Sequence, residues 1–244
     1  MVSLAPRSLA FLLLSACALP ELEPAGKTCS LVDPCPTGYL CESSGDSERC
    51  QPGIAFQDGV APTAAWEGTS AVTIAASAPR ENFVEETSVE VDGEEPSGSG
   101  HGRSGLLRWQ VEGLPPGARL RAVRVTLDFI NASGGESHGV HLLERAWSER
   151  EVTWAQAARD VPWAGPGATS SSDRGPQVVR VSPGQLGPYS FNLDAAGVAR
   201  VQQWVDSPAS NFGMVLVGEA SNGSLFESQR AAIPAVRPRL TLLY

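Results

Sequence analysis

A chain of 244 residues with 42% hydrophobic and 18% charged residues has a globular composition, with room for one domain of ordinary size plus small appendages. Its 25 Gly, 19 Pro and 2 Met favour turn-rich β structure over long helices. A formal net charge of −9 and a single lysine, Lys27, exclude nucleic acid as a partner, because phosphate binding needs clustered Lys and Arg.

Residues 1–17 read as a secretory signal: Arg7, a short apolar run from Leu9 to Leu14, then Ser15, Ala16 and Cys17. The run is too short for a membrane span. Leu14-Ser15-Ala16-Cys17 resembles the lipobox of bacterial lipoproteins, which implies acylation of Cys17 and an exported chain. The membrane is then reached through the lipid anchor alone, on the outer membrane or cell surface. Residues 18–28, rich in Pro, Glu and Gly, are expected to be a tether.

Removing Cys17 from five cysteines leaves four, Cys29, Cys35, Cys41 and Cys50, within residues 29–50. Four can pair completely, and the segment is too short to bury a core, so a two-disulfide module is expected. Zinc is the alternative, but no C-x2-C pair or nearby His supports it. Three pairings are open. The crossed one, Cys29 with Cys41 and Cys35 with Cys50, is preferred because crossing loops constrain a coreless segment more than nested ones. Residues 51–65 read as a linker, and 66–244 as one domain.

Within that domain, Val123, Val125, Leu127 and Phe129 alternate with Arg124, Thr126 and Asp128, the period of a half-buried strand. Weaker runs are Ala71–Ala75, Ser88–Val91, Leu106–Val111, Val140–Ala146, Gln177–Val181, Tyr189–Leu193, Gly213–Val217 and Arg239–Tyr244. One helix of about three turns is expected where Asp194 can cap, Val198, Val201 and Val205 share a face, and Ser207-Pro208 ends the run. The fold class is all-β: a β-sandwich with one short helix, preceded by a small disulfide-stapled module.

Three segments carry a further resemblance: Leu106-Leu107-Arg108-Trp109 with Leu114-Pro115-Pro116-Gly117-Ala118; Trp147-Ser148-Glu149-Arg150-Glu151-Val152-Thr153-Trp154; and Tyr189 to Val217, with Arg237-Pro238-Arg239-Leu240 at the end. In this order they resemble a DNRLRE domain, also classed as a carbohydrate-binding module, over residues 66–244. The resemblance implies a jelly-roll-like sandwich on a surface protein, with a polysaccharide as the ligand in some members. The rival reading is a structural or adhesive sandwich that binds a surface protein.

Trp147 and Trp154 flank a polar turn and are expected to be scaffold, as is Trp204 near the helix end. Trp66 and Trp163, set among Gly and Pro, are the candidates for ligand stacking, which would survive high salt. The stretch Glu81, Glu85, Glu86, Glu90, Asp92, Glu94 and Glu95 offers calcium ligands, but without a D-x-D-x-D-G spacing it reads as a solvated loop, so no metal or cofactor is assigned. No G-x-S-x-G elbow or P-loop occurs, and His101, His138 and His141 are expected at the surface, so no catalytic set is assigned.

Overall fold

The computed structural model describes residues 24–244, so the signal segment, Cys17 and the first part of the tether lie outside the described residues. Among the described residues, no helix is long and apolar enough to cross a membrane.

The cysteine-rich segment folds as a hairpin of β1 (Tyr39–Ser44) and β2 (Ser47–Phe56), turning at Gly45 with φ of 62°. Disulfides join Cys29 to Cys41 and Cys35 to Cys50, with Cα separations of 5.8 and 5.5 Å, in the crossed arrangement. After it the chain runs through β3 (Thr69–Ala75), β4 (Ser88–Val91), β5 (Arg103–Trp109), β6 (Ala122–Asn131), β7 (His138–Leu143), β8 (Gln156–Ala158), β9 (Val161–Pro162), β10 (Arg174–Val181) and β11 (Gly187–Asn192). Helix α1 (Ala195–Asp206), β12 (Met214–Gly218), β13 (Ser224–Glu227) and β14 (Arg239–Leu243) complete it.

Two antiparallel sheets face each other. One has five strands in the order β10-β7-β12-β5-β3. The other has seven, β1-β2-β14-β6-β13-β4, with β11 on the free edge of β6. Strand β6 is the hinge of this second sheet, pairing β14 through residues 122–126 and β13 near Phe129 and Asn131. Its inward residues Val123, Val125, Leu127 and Phe129 meet Leu107, Trp109, Val140, Leu142, Met214 and Leu216 in the main core. The alternation in β6 therefore marks one dry and one wet face.

The five-stranded sheet lacks that alternation because both its faces are covered. Val72, Ile74, Leu106, Leu143 and Val215 point away from the main core into a second cluster with Trp147, Val152, Ala157, Trp163 and Ala168. The cover is the excursion between β7 and β10, which includes the β8–β9 pair. Asp173, fully buried, ties it down: its carboxylate accepts from Arg145 Nε at 2.7 Å, Ala164 N at 3.1 Å and Gly165 N at 2.8 Å.

Three expectations are corrected here. Residues 51–65 are not a linker, since Gly53–Phe56 pair with Leu243–Leu240 of β14 and Phe56 is fully buried in the main core. The segment beyond β2 is equally fixed: Asp58 Oδ1 accepts from Gly68 N and Thr69 N at 3.0 Å each, and Gln57 Nε2 donates to Ala235 O and Arg237 O. The cysteine-rich module is thus the edge of the large sheet rather than a separate body. In α1, Asp194 caps as expected, accepting from Gly197 N at 2.7 Å, but the buried face is Gly197, Val201 and Trp204, with Val198 and Val205 only partly covered. Trp204 dominates because its large ring occupies the space between the helix and the sandwich.

Candidate binding groove

Burial of the tryptophans overturns the expected stacking platform. Trp66 is 8% exposed and lies against Phe56, with ring centroids 5.5 Å apart. Trp163 is 4% exposed, and its Nε1 donates to Thr153 O at 3.0 Å beneath the excursion. Neither indole is left in water: Trp66 lies in the main core and Trp163 in the second cluster. Trp147 is scaffold, with Nε1 donating to Phe212 O at 2.7 Å and the Arg108 guanidinium 4.8 Å from its ring centroid. Trp154 is half-buried against the second cluster.

With the outer face of the five-stranded sheet covered, the outer face of the seven-stranded sheet is the open one. Along it lies a groove of about 390 Å³. Its floor is the wet side of β6, β11 and β14: Arg124, Thr126, Asp128, Ser190, Arg239 and Thr241. One wall is β1 with Glu42, and the other is the 235–237 segment with Arg237. These strands bring together positions almost 200 residues apart, which is why no local motif announced the site.

The groove holds three guanidinium groups against two carboxylates. Arg124 Nη1 pairs with Glu42 Oε2 at 2.7 Å, and Thr126 Oγ1 and Ser190 Oγ lie 2.8 Å apart across the β6–β11 ladder. Arg237 is spent on the scaffold, donating from Nε to Ala231 O at 2.9 Å. Arg239 is different: its Nε is buried and has no protein acceptor. Burial lowers the pKa of Arg239, an effect Glu42 opposes and Arg124 reinforces; the group stays cationic because arginine starts so high. Burial pushes the Asp128 carboxyl up. An arginine fork on an open polar face can bind a carboxylate or sulfate in two-point fashion, and the flanking hydroxyls can bind sugar hydroxyls.

The other sequence candidates do not converge. Of the three histidines, His101 is exposed, but His138 is 1% exposed, against the expectation of a surface residue. Its Nε2 lies 2.8 Å from Ser224 Oγ, itself fully buried, so the pair stitches β7 of one sheet to β13 of the other, shut off from solvent. Burial depresses its pKa, against the pull of Asp92, Glu219 and Glu136. His141 is half-buried, with Nδ1 3.0 Å from Gly175 O. Glu149 and Glu151 take separate partners, Gln229 and Arg159. In the acidic stretch, ligand atoms of Glu90, Asp92 and Glu95 lie within 4.8 Å of one another. Asp92 there is buried rather than solvated, accepting from Glu94 N at 2.7 Å, and Arg103 forms an ion pair with Glu90. The sulfurs of Cys29, Cys35 and Cys50 also cluster, but as disulfide partners.

The sequence held only partial signals for the groove: the wet-face residues Arg124, Thr126 and Asp128, and the Arg237-Pro238-Arg239 step. Neither indicates that Glu42 closes the wall. No protein-family model and no curated protein sequence matches this chain.

Proposed function

We propose that this protein is a non-catalytic, exported lipoprotein, anchored through Cys17, whose sandwich binds an acidic polysaccharide in the groove over β6 and β14. The observation that carries the reading is Arg239 on the floor of an open polar groove beside the Thr126 and Ser190 hydroxyls, with no carboxylate hydrogen-bonded to it, whereas Arg124 is paired with Glu42 and Arg237 with the scaffold. The resemblance of residues 66–244 to DNRLRE domains, and disulfides suited to an oxidising compartment, support it. A guanidinium recognises a carboxylate by paired hydrogen bonds, and a volume of this size is that of an ordinary small-ligand site.

The chain's net charge of −9 opposes an anionic ligand at long range. At physiological ionic strength, however, charges beyond about 8 Å are largely screened, so the arginines in the groove decide the contact. Recognition through charge replaces the stacking expected of Trp66 and Trp163, and the salt dependence reverses with it.

Isothermal titration of the soluble chain beginning at Ala18, against polyuronate, sulfated and neutral polysaccharides, tests this. Heat is expected with the anionic polymers, falling steeply between low and high salt. Arg239→Ala is expected to weaken binding about tenfold, the loss of one charge-assisted hydrogen bond. Absence of heat with every polymer, together with a surface protein recovered by pull-down, would transfer the groove to the protein-binding reading.

A further inference from the structure

We infer that the tip of the cysteine-rich module, Leu31 and Val32, seats in the interfacial region of the membrane that carries acylated Cys17. The inference rests on the lipoprotein reading and adds a second contact to it.

Leu31 and Val32 are 103% and 94% exposed, whereas the next most exposed large apolar residue among the described residues, Leu186, reaches 68%. They are adjacent and occupy the middle of a closed turn. Ser30 N donates to Asp33 O at 3.0 Å, Asp33 N donates to Ser30 Oγ at 3.2 Å, and Lys27 Nζ pairs with Asp33 at 2.6 Å. Cys29 and Cys35, on either side, are both tied into β1–β2 by disulfides. The tip is therefore held out by covalent and hydrogen-bonded supports. Turn centres favour Gly, Asn, Asp, Ser and Pro, which supply unusual φ values or local hydrogen bonds. A leucine followed by a β-branched valine supplies neither, and both stand clear of the module, so they stabilise nothing in this fold.

The occupant follows from size and from chain length. Two side chains are far too small for a stable protein interface, which buries about 1,200 Å² or more. A lipid interface needs no shape complement and takes aliphatic side chains in proportion to their area. Leu31 follows Cys17 by 14 residues, and at about 3.5 Å per residue the leash cannot exceed roughly 50 Å. Residues 24–31 of that stretch are fixed in the fold, with Gly26 N donating to Cys50 O at 2.8 Å and Cys29 held by its disulfide, so the tip stays within that reach of the bilayer. Because Lys27 is neutralised by Asp33, headgroup charge should matter little.

The test uses the full lipidated protein in vesicles of phosphatidylethanolamine and phosphatidylglycerol carrying brominated acyl chains. Leu31→Trp, or Val32→Trp should the first disturb the turn, is compared with Leu186→Trp and the parent. Quenching about twofold above the parent at the tip, absent at position 186 and unchanged when phosphatidylcholine replaces phosphatidylglycerol, is the expected result. Membrane-bound protein with no added quenching at positions 31 and 32 overturns the inference and leaves the anchor standing. A blue shift that grows with protein density, without quenching, assigns the tip to a second copy and also overturns it. Protein in the supernatant after sedimentation removes the lipoprotein reading, and the inference with it.

Discussion

Individual residues here have roles set by burial more than by identity. Trp163 sits in a Gly- and Pro-rich segment that suggests exposure, yet it is a buried plug with its Nε1 satisfied. Trp163→Ala is therefore expected to cost about 3 to 5 kcal/mol of stability, read by urea denaturation, while leaving the affinity of the remaining folded protein unchanged. His138 yields a pH prediction. Its folded pKa lies below the unfolded value of about 6.5, so the unfolded chain binds the extra proton and stability falls as pH drops below about 6.5. Raised carboxyl groups such as Glu90 and Glu149 act in the opposite sense at lower pH. The comparison of His138→Gln with the parent isolates the histidine: denaturation midpoints that fall in parallel from pH 7 to pH 5 would show that His138 contributes nothing.

Elements in this chain were legible to the degree that one face of each is dry. Strand β6 alternates and was readable to within a residue or two; β3, β5 and β12 gave only weaker runs of the same kind because a second cluster covers their outer face. Strand β13 went unread, since Ser224–Glu227 is four residues long and follows Ser-Asn-Gly, which argues for a loop. The end of β2 was missed for the same reason, with Pro52 and Gly53 disguising a strand that pairs with β14. The covering excursion depends on one buried carboxylate. Asp173→Ala removes the acceptor of two backbone donors and of Arg145, and should cost about 3 kcal/mol, with hydrogen exchange rising first in residues 161–173. Uniform exchange across the sandwich would instead show that the excursion is not a separate cooperative unit.

At the scale of the whole molecule, the cysteine-rich module and the sandwich share the larger sheet, so a chain beginning at Trp66 is expected to lose the Phe56 contribution of about 3 to 5 kcal/mol and leave β14 with an unpaired edge. Aggregation of that fragment, read by light scattering, is the expected outcome; a monomer of parental stability would restore the linker reading. The all-β class, the position and cap of the helix, the cysteines that pair and most strand positions are legible in the amino-acid order alone. These follow from local physics: periodicity, capping, turn residues and the parity of cysteines. The loops around Trp66 and Trp163, and the groove, emerge only from the packing of segments distant in the chain. Whether an indole is covered depends on what its own loop packs against, Phe56 and the main core for Trp66 and the five-stranded sheet for Trp163. The groove, in turn, exists only because strand pairing brings Glu42, Arg124 and Arg239 to one face, a convergence that local spacing does not encode.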